Sequence, residues 1–257
     1  MNYLADAVWI EMRKAMRSRV PLFTALGYLM MPLASAFLIY ISKDPELARK
    51  LGLISAKASL LVSTADWPTY LKLVVQFAAI GGFFFFCLSI SWVFGREFVD
   101  GTLKDLLAVP VPRSSIVLAK FIVVAVWSAA LTLEIYIVSL VMGVAIRLPQ
   151  GSAGMILHGS VLLAVTACMA ILLVTPFALF ASVGRGYLLP MGAVVLTAIL
   201  ANLVVVTGWG EYFPWSVPGL YAQGSSLRPI SYWIVILTGL AGMVGTCCWW
   251  QYADQSR

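Results

Sequence analysis

The sequence predicts an all-α integral membrane protein: six transmembrane helices, an N-terminal amphipathic interfacial helix, and a short helix between the second and third spans. Three observations carry this. Of 257 residues, 61% are hydrophobic and only 11% charged, with a mean hydropathy of +0.95, more apolar surface than a soluble domain of this length could bury. Six apolar stretches, residues 20–42, 73–95, 121–146, 159–184, 186–210 and 230–250, each reach the roughly 20 residues a span requires. A compact charged insert, residues 96–113, interrupts the apolar run between the second and third stretches. Little sequence remains outside the spans, so residues 1–257 read as a single membrane domain.

Residues 1–19 form the first element. Leu4, Val8, Met12 and Met16 recur every four residues with Trp9 beside them, and Asp6, Arg13, Lys14 and Arg17 take the other side. That is the pattern of a helix lying in the headgroup plane. Glu11 at the boundary and Ile10 on the polar side break it. The first span is too long, and too closely preceded by helical sequence, for a cleaved signal peptide. In the loop that follows, Leu47, Leu51, Ile54, Ala58 and Leu61 can share one face while Lys50 and Lys57 offer ammonium groups at a membrane surface.

The insert is the most structured part between spans. Asp100-Gly101 makes a turn, and Thr102 can N-cap a helix with Asp105 three residues on, in capping-box spacing. Leu103, Leu106 and Leu107 fall at i, i+3 and i+4 on one face, and Pro110 and Pro112 end the element. A terminated amphipathic helix between two spans has the form of a docking device.

Within the spans, Glu134 is the ionisable residue. A charge at the bilayer centre costs on the order of 2.5–3.5 kcal/mol on insertion scales, so this carboxylate requires a cavity, a partner or a proton. Two readings stand: contact with a transported cation, or a hydrogen bond to a hydroxyl such as that of Tyr136 or to Asn202. Gln76 and Asn202 read as links between helices, and with Glu134 as candidates for a pathway lining. Residues 211–221, rich in proline and aromatics around Pro214, Trp215 and Pro218, suit an outer interface, as an aromatic belt or as a re-entrant gate. Gly239, Gly242 and Gly245 would let the last span approach a neighbour closely.

The net charge of +6 is scattered over membrane-edge segments and is no nucleic-acid signature. Cys87, Cys168, Cys247 and Cys248 lie in spans without metal-ligand spacing, and no metal site is expected. Six spans place both termini on one side. Placing that side in the cytoplasm puts ten basic residues inside and seven outside.

Taken together, these features resemble the permease subunits of the ATP-binding-cassette type-2 transporter family. The carrying residues are Arg96-Glu97 at the exit of span two, Gly101-Thr102-Leu103, the Leu106-Leu107 pair, Pro110, Arg113 and Lys120. The resemblance spans the architecture of the chain and is sharp over about thirty residues. Within the family, the chain looks most like the bacitracin-export and lantibiotic-immunity permeases. The resemblance implies that residues 97–112 are a cytoplasmic coupling region, with Arg96, Glu97, Asp100, Gly101, Thr102, Leu103, Asp105, Leu106, Leu107 and Arg113 facing the ATPase. Arg96 and Glu97 could equally anchor the interface. The resemblance also implies that residues 211–221 line the external exit of the pathway. It further implies a bacterial cell-membrane location with cytoplasmic termini, separate cytoplasmic ATP-binding-cassette ATPase subunits, and a second permease copy, identical or related. The chain has no Gly-x-x-x-x-Gly-Lys-Ser/Thr loop, so ATP and Mg would be bound by the partner, and no cofactor is expected in this chain.

Other classes fit less well. An intramembrane enzyme needs a nucleophile–base pair or paired carboxylates, and no catalytic residue is expected. A secondary transporter would show matching interrupted segments in two halves. A docking or sensor component, or an exporter of lipid or polysaccharide, remains the alternative to export of an amphipathic peptide antibiotic.

Overall fold

The computed structural model describes residues 3–42, 65–149 and 151–252. The helices are α1 (Tyr3–Arg17), α2 (Val20–Ser42), α3 (Trp67–Val99), α4 (Leu103–Ala108), α5 (Arg113–Ala145), α6 (Ala153–Val183), α7 (Leu188–Val206), α8 (Val217–Ala222) and α9 (Pro229–Tyr252). Two 3-10 turns, Gly210–Tyr212 and Pro214–Ser216, lead into α8. Among the described residues, six helices (α2, α3, α5, α6, α7 and α9) are long and apolar enough to cross a membrane. The helical loop expected around Leu47–Leu61 lies outside the described residues.

The three central helices outrun their apolar stretches. α3 and α5 have 33 residues each and α6 has 31. At 1.5 Å per residue each is about 45–50 Å long against a hydrocarbon core of about 30 Å, so their ends reach into the headgroup layers. Local chemistry fixes several of those ends. The Asp66 carboxylate accepts a hydrogen bond from the Thr69 amide at 2.9 Å, and Pro68 follows in the first turn of α3. Ser152 caps α6 by accepting from the Met155 amide at 3.3 Å. α5 and α6 both close on an arginine in the left-handed region, Arg147 at φ 54° and Arg185 at φ 50°. The Leu148 and Gly186 amides there reach back to the Gly143 and Ala181 carbonyls.

Connectivity sorts the molecule into two ends. α1, the α3–α5 connection bearing α4, the α6–α7 turn and the C-terminus of α9 share one end. The 3-10 turns and α8 lie at the other. Side-chain to backbone links tie the spans together: Tyr28 Oη donates to Ala78 O at 3.1 Å, joining α2 to α3. Trp127 Nε1 donates to Thr24 Oγ1 at 3.2 Å, joining α5 to α2. Trp250 Nε1, fully buried, donates to Ser182 Oγ at 2.9 Å, joining α9 to α6.

α6 and α9 meet where proline opens one helix and glycine thins the other. Pro176 cannot donate to the Leu172 carbonyl, and Thr175 Oγ1 lies 2.8 Å from that orphaned oxygen and 2.7 Å from Gly239 O. Both Gly239 and Gly242 face this site: a Cβ on Gly239 would stand 3.0 Å from Leu172 O, and one on Gly242 would overlap the Pro176 backbone nitrogen. Gly245 is looser, with its nearest neighbour, Leu179 Cδ2, at 3.6 Å. Gly242→Ala is therefore expected to destabilise the protein by about 1–3 kcal/mol through overpacking, and Gly245→Ala to change little. Thermal unfolding of both variants in detergent checks this; equal midpoints would refute it.

Candidate functional site

Four charged side chains meet at the end of the bundle that carries α4. Glu11 and Lys14 come from α1, Glu97 from the last turn of α3, and Lys120 from the second turn of α5. The Lys120 ammonium is 2.9 Å from Glu97 Oε2, 3.1 Å from Glu11 Oε2 and 2.8 Å from the Val93 carbonyl. Its three N–H donors are thus all matched, and the side chain is fully buried. Lys14 closes the ring, 2.6 Å from Glu11 Oε1 and 3.0 Å from Glu97 Oε1. Two carboxylates and two ammonium groups cancel, which is what makes their burial tolerable. Burial lowers the Lys14 pKa, but attraction to Glu11 and Glu97 outweighs it and holds Lys14 above its ordinary value. Its contribution to stability is therefore full below pH 10.5 and lost only as pH rises through the folded-state value.

The cluster explains a departure from the amphipathic pattern in α1. The periodicity placed Leu4, Val8, Met12 and Met16 on the apolar face; the structure instead buries Glu11 and Ala15 and leaves Met16 76% exposed. Lys120 draws Glu11 inward and turns the helix about its axis. The interruption at Glu11 was the available signal, together with a lysine sitting inside an apolar run at position 120.

The connection after α3 is a tight turn. Gly101 takes φ 70°, and Arg96 Nε donates one turn forward to Asp100 Oδ2 at 3.2 Å, with its guanidinium 5.0 Å over the Trp92 ring. Thr102 stands at the N-cap of α4, but the expected capping box does not form. Its ψ of 2° is outside the extended range that aims a capping hydroxyl at the helix, and its side chain makes no cap hydrogen bond. Asp105 is exposed in the first turn. The apolar face of α4 turns inward: Leu103 is 8% exposed and joins the core, with Leu106 packed against it. The Leu107 side chain lies outside the described residues. What α4 presents outward is Lys104, Asp105 and Ala108, followed by Pro110. Arg113 donates to the Trp250 and Gln251 carbonyls at 3.2 and 3.4 Å, so it caps the C-terminus of α9.

Toward the opposite end, an apolar groove of about 700 Å³ runs between α3, α7 and the 3-10/α8 segment. It takes in Asn202, Trp215 and Pro218, with Phe83, Phe84 and Ala198 along its walls. Trp215 Nε1 donates to Leu173 O at 3.0 Å, and the Trp215 ring packs on Phe213 and Phe177, which holds the segment against α6. Pro214 opens the second 3-10 turn. Asn202 does not link helices as expected: its amide donates to Ala198 O, one turn back on its own helix. Gln76 and Glu134 are half-buried and line no part of this groove. Glu134 has no hydrogen bond or ion pair among the described residues; Tyr136 Oη accepts instead from Ser160. Also among the described residues, no group of His, Cys, Asp and Glu could hold a metal ion.

Six spans, a charged clamp at one end and an apolar groove toward the other define a membrane permease, and sequence comparison identifies the class. The family described as "ABC-2 family transporter protein" matches residues 7–202, and the chain belongs to that family as an ABC transporter permease subunit. It is similar to the bacitracin transport permease protein BCRB of Bacillus licheniformis, 24% identical over 168 residues, 64% of this chain and 81% of that relative. No solved structure matches the chain.

Lys120→Ala leaves two carboxylates facing one ammonium and is expected to cost about 3–5 kcal/mol. Glu97→Ala with Lys120→Ala should cost less than the sum of the single changes, by more than 1 kcal/mol. Thermal unfolding in detergent reads both; strict additivity would mean that the two groups do not interact.

Proposed function

We propose that this chain is the permease of an exporter that moves a hydrophobic or amphipathic compound outward, of the kind that includes peptide antibiotics such as bacitracin and the lantibiotics. Two copies of it, or one with a related permease, work with separate cytoplasmic ATPase subunits in a bacterial cell membrane. The observation that carries this reading is the apolar groove at the end away from α4. Its walls are aromatic and aliphatic, with Asn202, Ser216 and Gln223 as scattered polar groups. That lining suits an amphipathic molecule drawn from the bilayer and suits an ion poorly. The bacitracin permease similarity supports the same substrate class.

The ATPase docks on the other end, which makes that end, with both termini, cytoplasmic. The outward side of α4, at Lys104, Asp105 and Ala108, is the contact surface. Leu103 and Leu106 fasten α4 to the bundle, so a push on α4 is passed to α3 and α5 rather than absorbed in a loose loop. The ion cluster then makes α1, α3 and α5 move together. Arg96, Glu97 and Arg113 act in this scheme by holding that unit rigid, through Asp100, Lys120 and α9 respectively.

Two variants separate the ends. Ala198→Trp fills the groove and is expected to abolish bacitracin resistance in a sensitive host while the ATPase still co-purifies. Asp105→Arg with Ala108→Arg should remove the ATPase from the detergent-extracted permease while its thermal unfolding is unchanged. Full resistance in the first variant refutes the groove as the pathway, and full ATPase retention in the second refutes α4 as the docking surface.

A further inference from the structure

A second groove, of about 570 Å³, opens beside the ion cluster between α1, the last turns of α3 and the start of α7. Arg13, Arg17 and Arg96 line it, with the rings of Trp9, Trp92 and Tyr187 among them. Lys14 and Asp100 border it too, but both are engaged: Lys14 with Glu11 and Glu97, Asp100 with Arg96. The accounting leaves a surplus. Glu11, Lys14, Glu97 and Lys120 balance one another and Asp100 balances Arg96, whereas Arg13 and Arg17 are exposed and make no ion pair among the described residues.

The guanidinium groups are also oriented. That of Arg13 lies 6.0 Å over Trp9 and that of Arg96 5.0 Å over Trp92. Stacking on a ring holds the planar cation in place and leaves the edge of Arg13 and the Nη side of Arg96, whose Nε goes to Asp100, to grip a phosphate through paired hydrogen bonds. The surroundings place the groove at a lipid surface rather than in bulk water. Along α1, Trp9 is 64% exposed, Ile10 53% and Met16 76%, side by side with the arginines. Tryptophan and arginine on one exposed helix face are the side chains that settle at the headgroup layer.

We propose that this groove binds the phosphate headgroup of an anionic phospholipid, with Arg13 and Arg17 supplying the unbalanced charge and Arg96 a third donor edge. The groove volume admits a phosphate with its glycerol, and the apolar side of α1 lies against the acyl chains. Nothing in this site depends on what the protein transports.

Native mass spectrometry of the intact chain, released from micelles containing equal phosphatidylglycerol and phosphatidylcholine, tests it. Phosphatidylglycerol should remain bound in preference. Arg13→Gln with Arg17→Gln should weaken that retention about 25-fold, roughly fivefold for each arginine. Arg17→Gln alone, at a side chain with no hydrogen bond or ion pair among the described residues, should give the single step without disturbing the fold. Arg228→Gln, at the opposite end of the molecule, should change nothing. Undiminished phosphatidylglycerol retention in the double variant would overturn the proposal. Displacement of the lipid by inorganic phosphate at equal concentration would assign the site to a soluble anion instead. Loss of a co-purifying ATPase with lipid retention intact would make the two arginines a protein contact, which also overturns it.

Discussion

The buried ammonium of Lys120 is the constraint around which the α4 end of this molecule is arranged. An unpaired charge there would cost several kcal/mol, so three acceptors must be brought to it from two other helices. Val93 O and Glu97 come from α3, and Glu11 from α1. That requirement sets the rotation of α1, draws in the end of α3, and fixes α5 between them. Lys14 completes the balance by neutralising the carboxylate oxygens that Lys120 does not reach. The aromatic packing follows the same centre: Phe94 stacks near both Lys120 and Phe121, and Trp250 packs on Phe94 and Phe98 from α9.

The two ends differ in how they are held. Ion pairs and hydrogen-bonded indoles secure the end near α4, where each buried charge has a directional partner. Toward the other end, contact is largely apolar, and the segment of the 3-10 turns and α8 is held chiefly by the Trp215 hydrogen bond and its ring neighbours. Between them, Pro176 breaks the hydrogen-bond ladder of α6 where Gly239 and Gly242 let α9 approach most closely. Directional contacts resist relative motion, and apolar faces permit sliding and the admission of other apolar matter. On the proposed reading, this division suits a stiff lever joined to an accommodating groove.

The insert between α3 and α5 shows how far local rules extend. The Asp100-Gly101 turn was legible because glycine tolerates φ 70° where other residues are strained. The stop after Ala108 was legible because Pro110 and Pro112 cannot continue a helix. The capping box was not realised, since the turn leaves Thr102 with its ψ near 0° and its side chain makes no cap hydrogen bond. Leu103 and Leu106 do share a face, but the pattern does not say what it meets. Leu103 meets the protein's own core, with Leu106 packed against it.

Composition and spacing by themselves determined the membrane class, six spans and the short helix between the second and third, because these rest on apolar length and local propensity, which neighbouring residues carry; the permease family was legible only as a resemblance around residues 96–120. Only the tertiary structure decided the partners of the polar side chains. Glu11 and Lys120 stand 109 positions apart and Lys14 and Glu97 stand 83 apart, and no periodicity links them. Asn202 bonded within its own helix, and Arg113 capped α9 from 137 positions away, for the same reason. A buried charge is satisfied by whatever acceptor the packing brings within about 3 Å, and that packing is a property of the whole bundle rather than of any segment.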